Sequence, residues 1–176
     1  LKGIIRYKQQ DYHGAIEHFS EFSKNSENEN GWMYLGLCHL AMQNFQVAQN
    51  AFERCLEVNP ENFNAIYNAG LAAYQDERYV TAIEFFVKAT QMNGESLPAW
   101  IGLGLSQNGY SKFEQSNLSL RNALAIQPNN GSALYNIGVN YYNLNDTQNA
   151  CEYWQRAEKS ASLPAQLALE QFCQEK

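Results

Sequence analysis

The sequence is poor in charge and proline, and it has no long apolar run. Charged residues make up 17% of the 176 residues, against roughly 25% in an average domain. Because a membrane helix needs about 18 consecutive apolar residues, we expect no membrane insertion. No basic and then apolar signal segment opens the chain, so we expect a cytoplasmic location. The chain starts at Leu1 in an already helical pattern, and a targeting signal could be missing from a fragment.

The balance of charge argues against another group of functions. Lys and Arg number 12 against 18 Asp and Glu, which gives a net charge of -6 and a pI near 5.0. Phosphate backbones and anionic membrane surfaces repel such a protein. We therefore expect no nucleic acid partner.

The residues that could carry catalysis or bind a metal do not form a suitable group. His13 and His18 are five residues apart and lie on different helical faces, while His39 lies on an apolar stripe, where packing explains it. No nucleophile is paired with a base. The cysteines are Cys38, Cys55, Cys151 and Cys173. They form no C-x-x-C pair, so we expect free, reduced thiols. Together with the placement of the histidines, this predicts no metal, no cofactor and no enzyme activity.

An internal repeat of 34 residues runs through the chain. Small and bulky residues keep the same positions in each repeat, and a glycine recurs ahead of them. The equivalent sets are Ala48, Ala82, Ser116 and Ala150; Phe52, Phe86, Leu120 and Trp154; Cys55, Ala89, Ala123 and Ala157; Gly36, Gly70, Gly104 and Gly138; and Trp32, Ile66, Trp100 and Leu134. Such a period indicates an array of structural repeats.

These residues resemble the tetratricopeptide repeat (TPR) family, whose pattern is a large residue, Leu-Gly, then Ala, an aromatic residue, Ala and Pro. Pro60 and Pro128 stand at the closing turn, Gly94 replaces that proline once, and the last repeat delays it to Pro164. The predicted repeats span about 1–28, 29–62, 63–96, 97–130 and 131–164, and a capping helix spans 165–176. We expect them to form a single domain.

The resemblance implies an all-α fold, a right-handed superhelical solenoid of antiparallel helix pairs. Small residues such as Gly36 and Ala48 allow the two helices of a pair to cross closely. The family's geometry places first helices on the concave face and second helices on the convex face. The second helix at 45–58 is cleanly amphipathic, whereas the first helix at 32–42 is apolar nearly all round. The concave groove should therefore carry the spare apolar surface.

Three rows of residues on the first helices are predicted to line this peptide-binding groove. They are Met33, Tyr34, Leu37, Tyr67, Asn68, Leu71, Ile101, Leu105, Tyr135, Asn136 and Val139. Asn68 and Asn136 resemble the asparagines with which other family members grip a peptide backbone, since an amide both donates and accepts. Because no Lys or Arg stands on this face, we do not expect the clamp that binds acidic chaperone tails.

Two alternatives for these rows stay open from the sequence. Apolar residues at helical spacing can also be core between adjacent first helices. That interpretation applies to the row of Ile4, Leu37, Leu71, Leu105 and Val139 and, less strongly, to the row of Met33, Tyr67, Ile101 and Tyr135. The groove could also be filled by a second copy, or by the terminal segment with Leu169 and Phe172.

The sequence predicts a protein-interaction module, a scaffold or adaptor. It would bind a partner segment with apolar or aromatic anchors, either an extended strand or an amphipathic helix. The alternative is an assembly or regulatory domain of a larger complex, such as a secretion, pilus or enzyme assembly, acting by domain packing or self-association. Catalysis would have to reside in another part of a longer protein.

Overall fold

The computed structural model describes residues 2–24 and 28–173, which form eleven α-helices and no strand. The helices are α1 (Lys2–Lys8), α2 (Tyr12–Lys24), α3 (Glu29–Ala41), α4 (Phe45–Val58), α5 (Phe63–Gln75), α6 (Tyr79–Met92), α7 (Leu97–Gly109), α8 (Phe113–Ile126), α9 (Gly131–Asn143), α10 (Thr147–Glu158) and α11 (Leu163–Phe172). The all-α prediction is confirmed. Residues 174–176 of the predicted capping helix lie outside the described residues.

The chain divides into two compact halves. The N-terminal half is Leu1–Met92, with α1 to α6, and the C-terminal half is Asn93–Lys176, with α7 to α11. In each half, first and second helices alternate and pack against their neighbours along the chain. The expectation of a single domain stays a prediction.

The first helices begin at capping side chains that recur every 34 residues. These are Asn28, Asn62, Ser96 and Asn130. The side chain of Asn62, for example, accepts a hydrogen bond of 3.0 Å from the backbone N–H of Ala65. Such a bond satisfies one of the donors that the first turn of a helix leaves unpaired. The repeat therefore fixes the helix starts as well as the core.

The turn inside each pair contains one residue in the left-handed backbone region. These residues are Gln10, Gln43, Glu77, Ser111 and Asn145, with φ between 56° and 62°. After α3, the N–H of Gln43 donates to Leu40 O at 3.0 Å and that of Asn44 to His39 O at 2.8 Å. Both bonds satisfy carbonyls at the end of the helix and stop it there.

The two helices of a pair cross where a glycine faces a large side chain. The facing pairs are Gly3 and Phe19, Gly36 and Phe52, Gly70 and Phe86, Gly104 and Leu120, and Gly138 and Trp154. A Cβ atom on Gly104 would lie 2.6 Å from Cγ of Leu120, far inside van der Waals contact. Both Phe52 and Leu120 are fully buried. The role predicted for these glycines is confirmed.

An amide group is buried in the core of the C-terminal half. Asn140 on α9 is 0% exposed. Its Nδ2 donates to Ser116 Oγ and to Asn117 Oδ1 on α8, both at 2.8 Å, and its Oδ1 accepts from Nδ2 of Asn108 on α7. The Ser116 hydroxyl also donates to the carbonyl of Gly104 at 2.7 Å. The amide is thus satisfied by side chains from two other helices, as burial requires.

The cysteines depart in part from the prediction of free thiols. Cys151 on α10 and Cys173 after α11 form a disulfide across 22 residues, so that prediction is wrong for this pair. Sequence spacing alone did not show that α11 packs on α10 with these two side chains facing each other. Cys38 and Cys55 are free and buried, and burial raises the pKa of each thiol to about 11.

The close crossing predicts different effects for two glycines. In Gly104→Ala the new methyl group overlaps Leu120, so we expect the free energy of unfolding to fall by about 1–3 kcal/mol. In Gly70→Ala the nearest atoms, on Phe85 and Phe86, are 3.1 and 3.2 Å away, and a smaller change is expected. Urea denaturation followed by circular dichroism measures both. Equal losses of unfolding free energy in the two variants would show that the distance from the new Cβ atom to the facing side chain does not decide the effect.

The buried amide predicts a large loss of stability in Asn140→Ala. Truncation removes three hydrogen bonds and leaves polar groups of Asn117 and Asn108 without their partner, which costs about 2–4 kcal/mol. Asn136→Ala, on the same helix, is the control, because its amide bonds only to Ser132 O of its own helix. Thermal and urea unfolding should separate the two variants. Equal stability would refute the role of the network.

Candidate functional site

All eleven predicted groove residues lie on the first helices α3, α5, α7 and α9, and all eleven are half-buried. They are neither fully enclosed like the core nor fully exposed to solvent. Side chains of this kind contribute to packing on one side and present atoms to solvent on the other. The two halves of the chain each carry their own set.

In the N-terminal half, the residues on α3 pack on the core. Met33 and Leu37 contact a cluster of fully buried residues. The cluster contains Ala48, Phe52, Ala69 and Ala72. Part of each side chain therefore stabilises the stacking of α3, α4 and α5, and only the remainder is available to a ligand.

Leu71 on α5 borders a shallow cavity of about 270 Å³. The cavity is lined by Leu40, Ala41, Gln43, Phe45, Leu71 and Gln75. The prediction missed Leu40, although it lies seven residues after Met33 and continues the same helical face. Leu71 thus has an adjacent space that a small apolar side chain of a partner could enter.

The two tyrosines of this half differ in their surroundings. The ring of Tyr67 lies edge-on to Phe86, with centroids 5.7 Å apart, and burial raises the pKa of its hydroxyl. Tyr34 instead stacks on Phe19 at 4.9 Å and contacts Tyr7 edge-on at 5.8 Å. Tyr34 also lines a cavity of about 560 Å³ bounded by α1, α2 and α3. It is therefore held by the preceding repeat.

The two predicted backbone-gripping amides have the same geometry in the two halves. Nδ2 of Asn68 donates to Asn64 O at 2.7 Å, and Nδ2 of Asn136 donates to Ser132 O at 2.8 Å. Each bond runs back one turn within the same helix. Among the described residues, neither Oδ1 accepts a hydrogen bond. The amides are thus oriented with a carbonyl oxygen available to an external donor.

In the C-terminal half, the apolar groove residues also border core clusters. Ile101 on α7 contacts the cluster around Leu120 and Ile137. Tyr135 and Val139 on α9 contact the cluster around Leu134, Trp154 and the alanines of α11. Leu105, one turn after Ile101, is half-buried on the same helix.

The terminal segment covers the end of the last helix pair. Phe172 lies 4.6 Å from the ring of Tyr142 and 5.9 Å from that of Trp154, measured between centroids. Leu169 packs against the same core cluster. In the described residues Leu169 and Phe172 pack on the last helix pair and do not contact any predicted groove residue of the N-terminal half, and the role of α11 as a cap stays a prediction.

Within residues 2–24 and 28–173, no three His, Cys, Asp or Glu side chains come close enough to hold a metal ion. No helix in the same ranges is long and apolar enough to cross a membrane. His39 is half-buried, and burial lowers its pKa.

Comparison with known families identifies the repeat. Models described as "Tetratricopeptide repeat" match residues 35–96 and 132–161, together about half of the chain. The chain belongs to the tetratricopeptide repeat family, and its fold is that of a helical solenoid. Members of this family are protein-interaction scaffolds and typically lack catalysis, and this chain shares their scaffold fold.

Individual relatives are longer and distant. The BBSome complex member BBS4 homolog of Drosophila melanogaster is 28% identical over 126 residues, which are 70% of this chain and 26% of that protein. The chain spans about a fifth to a quarter of the length of such relatives.

Solved structures share the fold at lower identity. MamA has a TM-score of 0.85 at 21% identity, and the match covers 90% of this chain and 96% of MamA. YrrB, described as a TPR protein with an unusual peptide-binding site, has a TM-score of 0.85 at 17% identity, covering 96% of this chain and 88% of YrrB. At these identities the likeness shows the fold alone.

Proposed function

We propose that the first helices of this chain bind a segment of another protein through their half-buried apolar residues and two asparagines. The observation that carries the proposal is the repeated asparagine geometry. Asn68 and Asn136, in different halves, each bond back to their own helix and leave Oδ1 without a hydrogen bond among the described residues. An unpaired acceptor in this orientation suits a backbone N–H of an extended ligand.

The apolar residues around Asn68 supply anchors for the same ligand. Tyr67 is its neighbour on α5, and Leu71 borders the cavity of about 270 Å³ one turn further along. Burying a ligand side chain of valine or leucine size contributes about 1.5–3 kcal/mol before the costs of association. We therefore expect a partner segment with apolar or aromatic anchors spaced to fit α3 and α5.

The second helix α4 presents several polar side chains that bond to one another. Gln46 donates to Asn50 Oδ1 at 3.1 Å and Arg54 pairs with Glu57 at 2.7 Å, while Val47 and Val58 are also exposed. Polar groups that already bond to one another gain little from a ligand. Asn50 on α4 and Asn122 on α8 are exposed and are therefore suitable for control substitutions.

The test is selection from a random dodecapeptide phage library on the intact chain, followed by calorimetry with the selected peptides. We expect enrichment of apolar and aromatic residues. The double variant Asn68→Ala, Asn136→Ala should weaken binding about tenfold, a loss of about 1.4 kcal/mol. It should leave folding unchanged, because both amides bond only within their own helices.

The matched control exchanges amides on the second helices. The double variant with Asn50→Ala and Asn122→Ala also removes one exposed amide from each half. It should change the affinity for the selected peptides less than twofold. Leu71→Asp should abolish binding while circular dichroism confirms the helices. Equal effects of both double variants, or unfolding caused by Leu71→Asp, would contradict the proposal and assign the apolar row to the core.

A second candidate function is assembly within a complex, which the surface of α11 favours. Leu163 and Leu167 lie one turn apart and are 64% and 55% exposed. A relative, the BBS4 homolog of Drosophila melanogaster, is named as a complex member. One outcome is that the library yields no peptide while the double variant with Leu163→Asp and Leu167→Asp changes the sedimentation of the chain. That result would favour domain packing or self-association as the function.

A further inference from the structure

The five arginines of the chain fall into two groups. In the N-terminal half, each arginine pairs with a carboxylate: Arg6 with Asp11 at 2.9 Å, Arg54 with Glu57 at 2.7 Å and Arg78 with Asp76 at 2.7 Å. In the C-terminal half, neither Arg121 nor Arg156 pairs with a carboxylate within the described residues. Glu152 stands one turn before Arg156 but lies outside ion-pair distance.

Two tyrosines hold these arginines in place. Nη2 of Arg121, on α8, donates to the hydroxyl of Tyr141, on α9, at 2.7 Å. The guanidinium of Arg156 lies 5.0 Å from the ring centroid of Tyr153, on α10, within the range of a cation–π interaction. The two tyrosine rings stack on each other at 5.5 Å. The four side chains therefore form one cluster, which we call the arginine–tyrosine cluster.

The core beneath the cluster limits its motion. Tyr141 and Tyr153 are half-buried and pack against the core clusters of the C-terminal half. Partial burial lowers the pKa of Arg121, but its interactions with Tyr153 and Tyr141 outweigh this effect and raise the pKa overall. A guanidinium that already contacts a packed ring loses less side-chain entropy on binding than one without such a contact.

The cluster has many hydrogen-bond donors and few acceptors. A guanidinium has five N–H donors and no acceptor, and a tyrosine hydroxyl that accepts from arginine still has its own proton to donate. In the described part of the chain, neither hydroxyl donates a hydrogen bond to an acceptor. Each of these donors can bind an oxyanion, and the two guanidinium groups add positive charge.

We propose that the arginine–tyrosine cluster binds carboxylate side chains of an acidic segment of a partner protein. Planar guanidinium groups match the two oxygens of a carboxylate and form short, charge-assisted bonds. A nucleic acid would bring many phosphates toward a chain of net charge -6, whereas a short acidic segment brings one or two charges to the two arginines. This site does not involve any predicted groove residue and is independent of the groove proposal.

The test measures binding of fluorescein-labelled hexaglutamate to the intact chain by fluorescence anisotropy, with hexaglutamine as the neutral control. We expect hexaglutamate to bind and hexaglutamine not to bind. Arg121→Gln, Arg156→Gln should weaken hexaglutamate binding at least about tenfold. Tyr141→Phe keeps the ring but removes the hydroxyl, and should weaken binding several-fold at unchanged melting temperature.

Arg54→Gln is the matched control. Arg54 occupies in α4 the position of Arg156 in α10, three repeats earlier, but it is already paired with Glu57. Together with Arg6→Gln, whose side chain is likewise paired with a carboxylate, it removes the same two positive charges and should change hexaglutamate affinity less than about twofold. Equal effects of the two sets of substitutions, or no binding of hexaglutamate by the unmodified chain, would overturn the proposal. Stronger binding of an oligothymidylate of equal charge would also overturn it.

Discussion

The fold depends on one close contact in each helix pair, between a glycine on the first helix and a large side chain on the second. Where Gly36 meets Phe52 or Gly138 meets Trp154, the absent Cβ lets the aromatic ring lie against the backbone of the facing helix. This brings the two helices close together and fills the space between them in the same step. The outward faces are then left for contact between neighbouring pairs and for ligands.

The candidate site is a consequence of this arrangement. Since the second helix of a pair occupies one side of the first helix, neighbouring first helices occupy part of the remaining surface. Met33 and Leu37 therefore pack some of their atoms against the core, and Tyr34 stacks on Phe19. The apolar excess that the sequence shows on first helices is divided between packing and surface, which explains why all of its members are half-buried.

Periodic features could be predicted from the sequence, and single features could not. The glycine and its bulky partner recur in every repeat, so their register was readable without a structure. The caps Asn62 and Asn130 recur as well, but they lie in polar turns where an asparagine also has other uses. The Cys151–Cys173 disulfide occurs once, and it depends on how α11 is rotated against α10. The same holds for the arginine–tyrosine cluster, whose members come from three helices.

The buried amide of Asn140 shows why a feature that occurs only once matters in an array of similar repeats. The apolar pattern alone would let α9 pack against any second helix. A buried amide left without partners costs about 1–3 kcal/mol, and α8 satisfies Asn140 with Ser116 and Asn117. At the position of Ser116, the second helices α4 and α6 carry Ala48 and Ala82, which have no polar side-chain atom. The amide therefore favours α8, which supplies both partners, over α6, which carries Ala82 and Ile83 at the two positions.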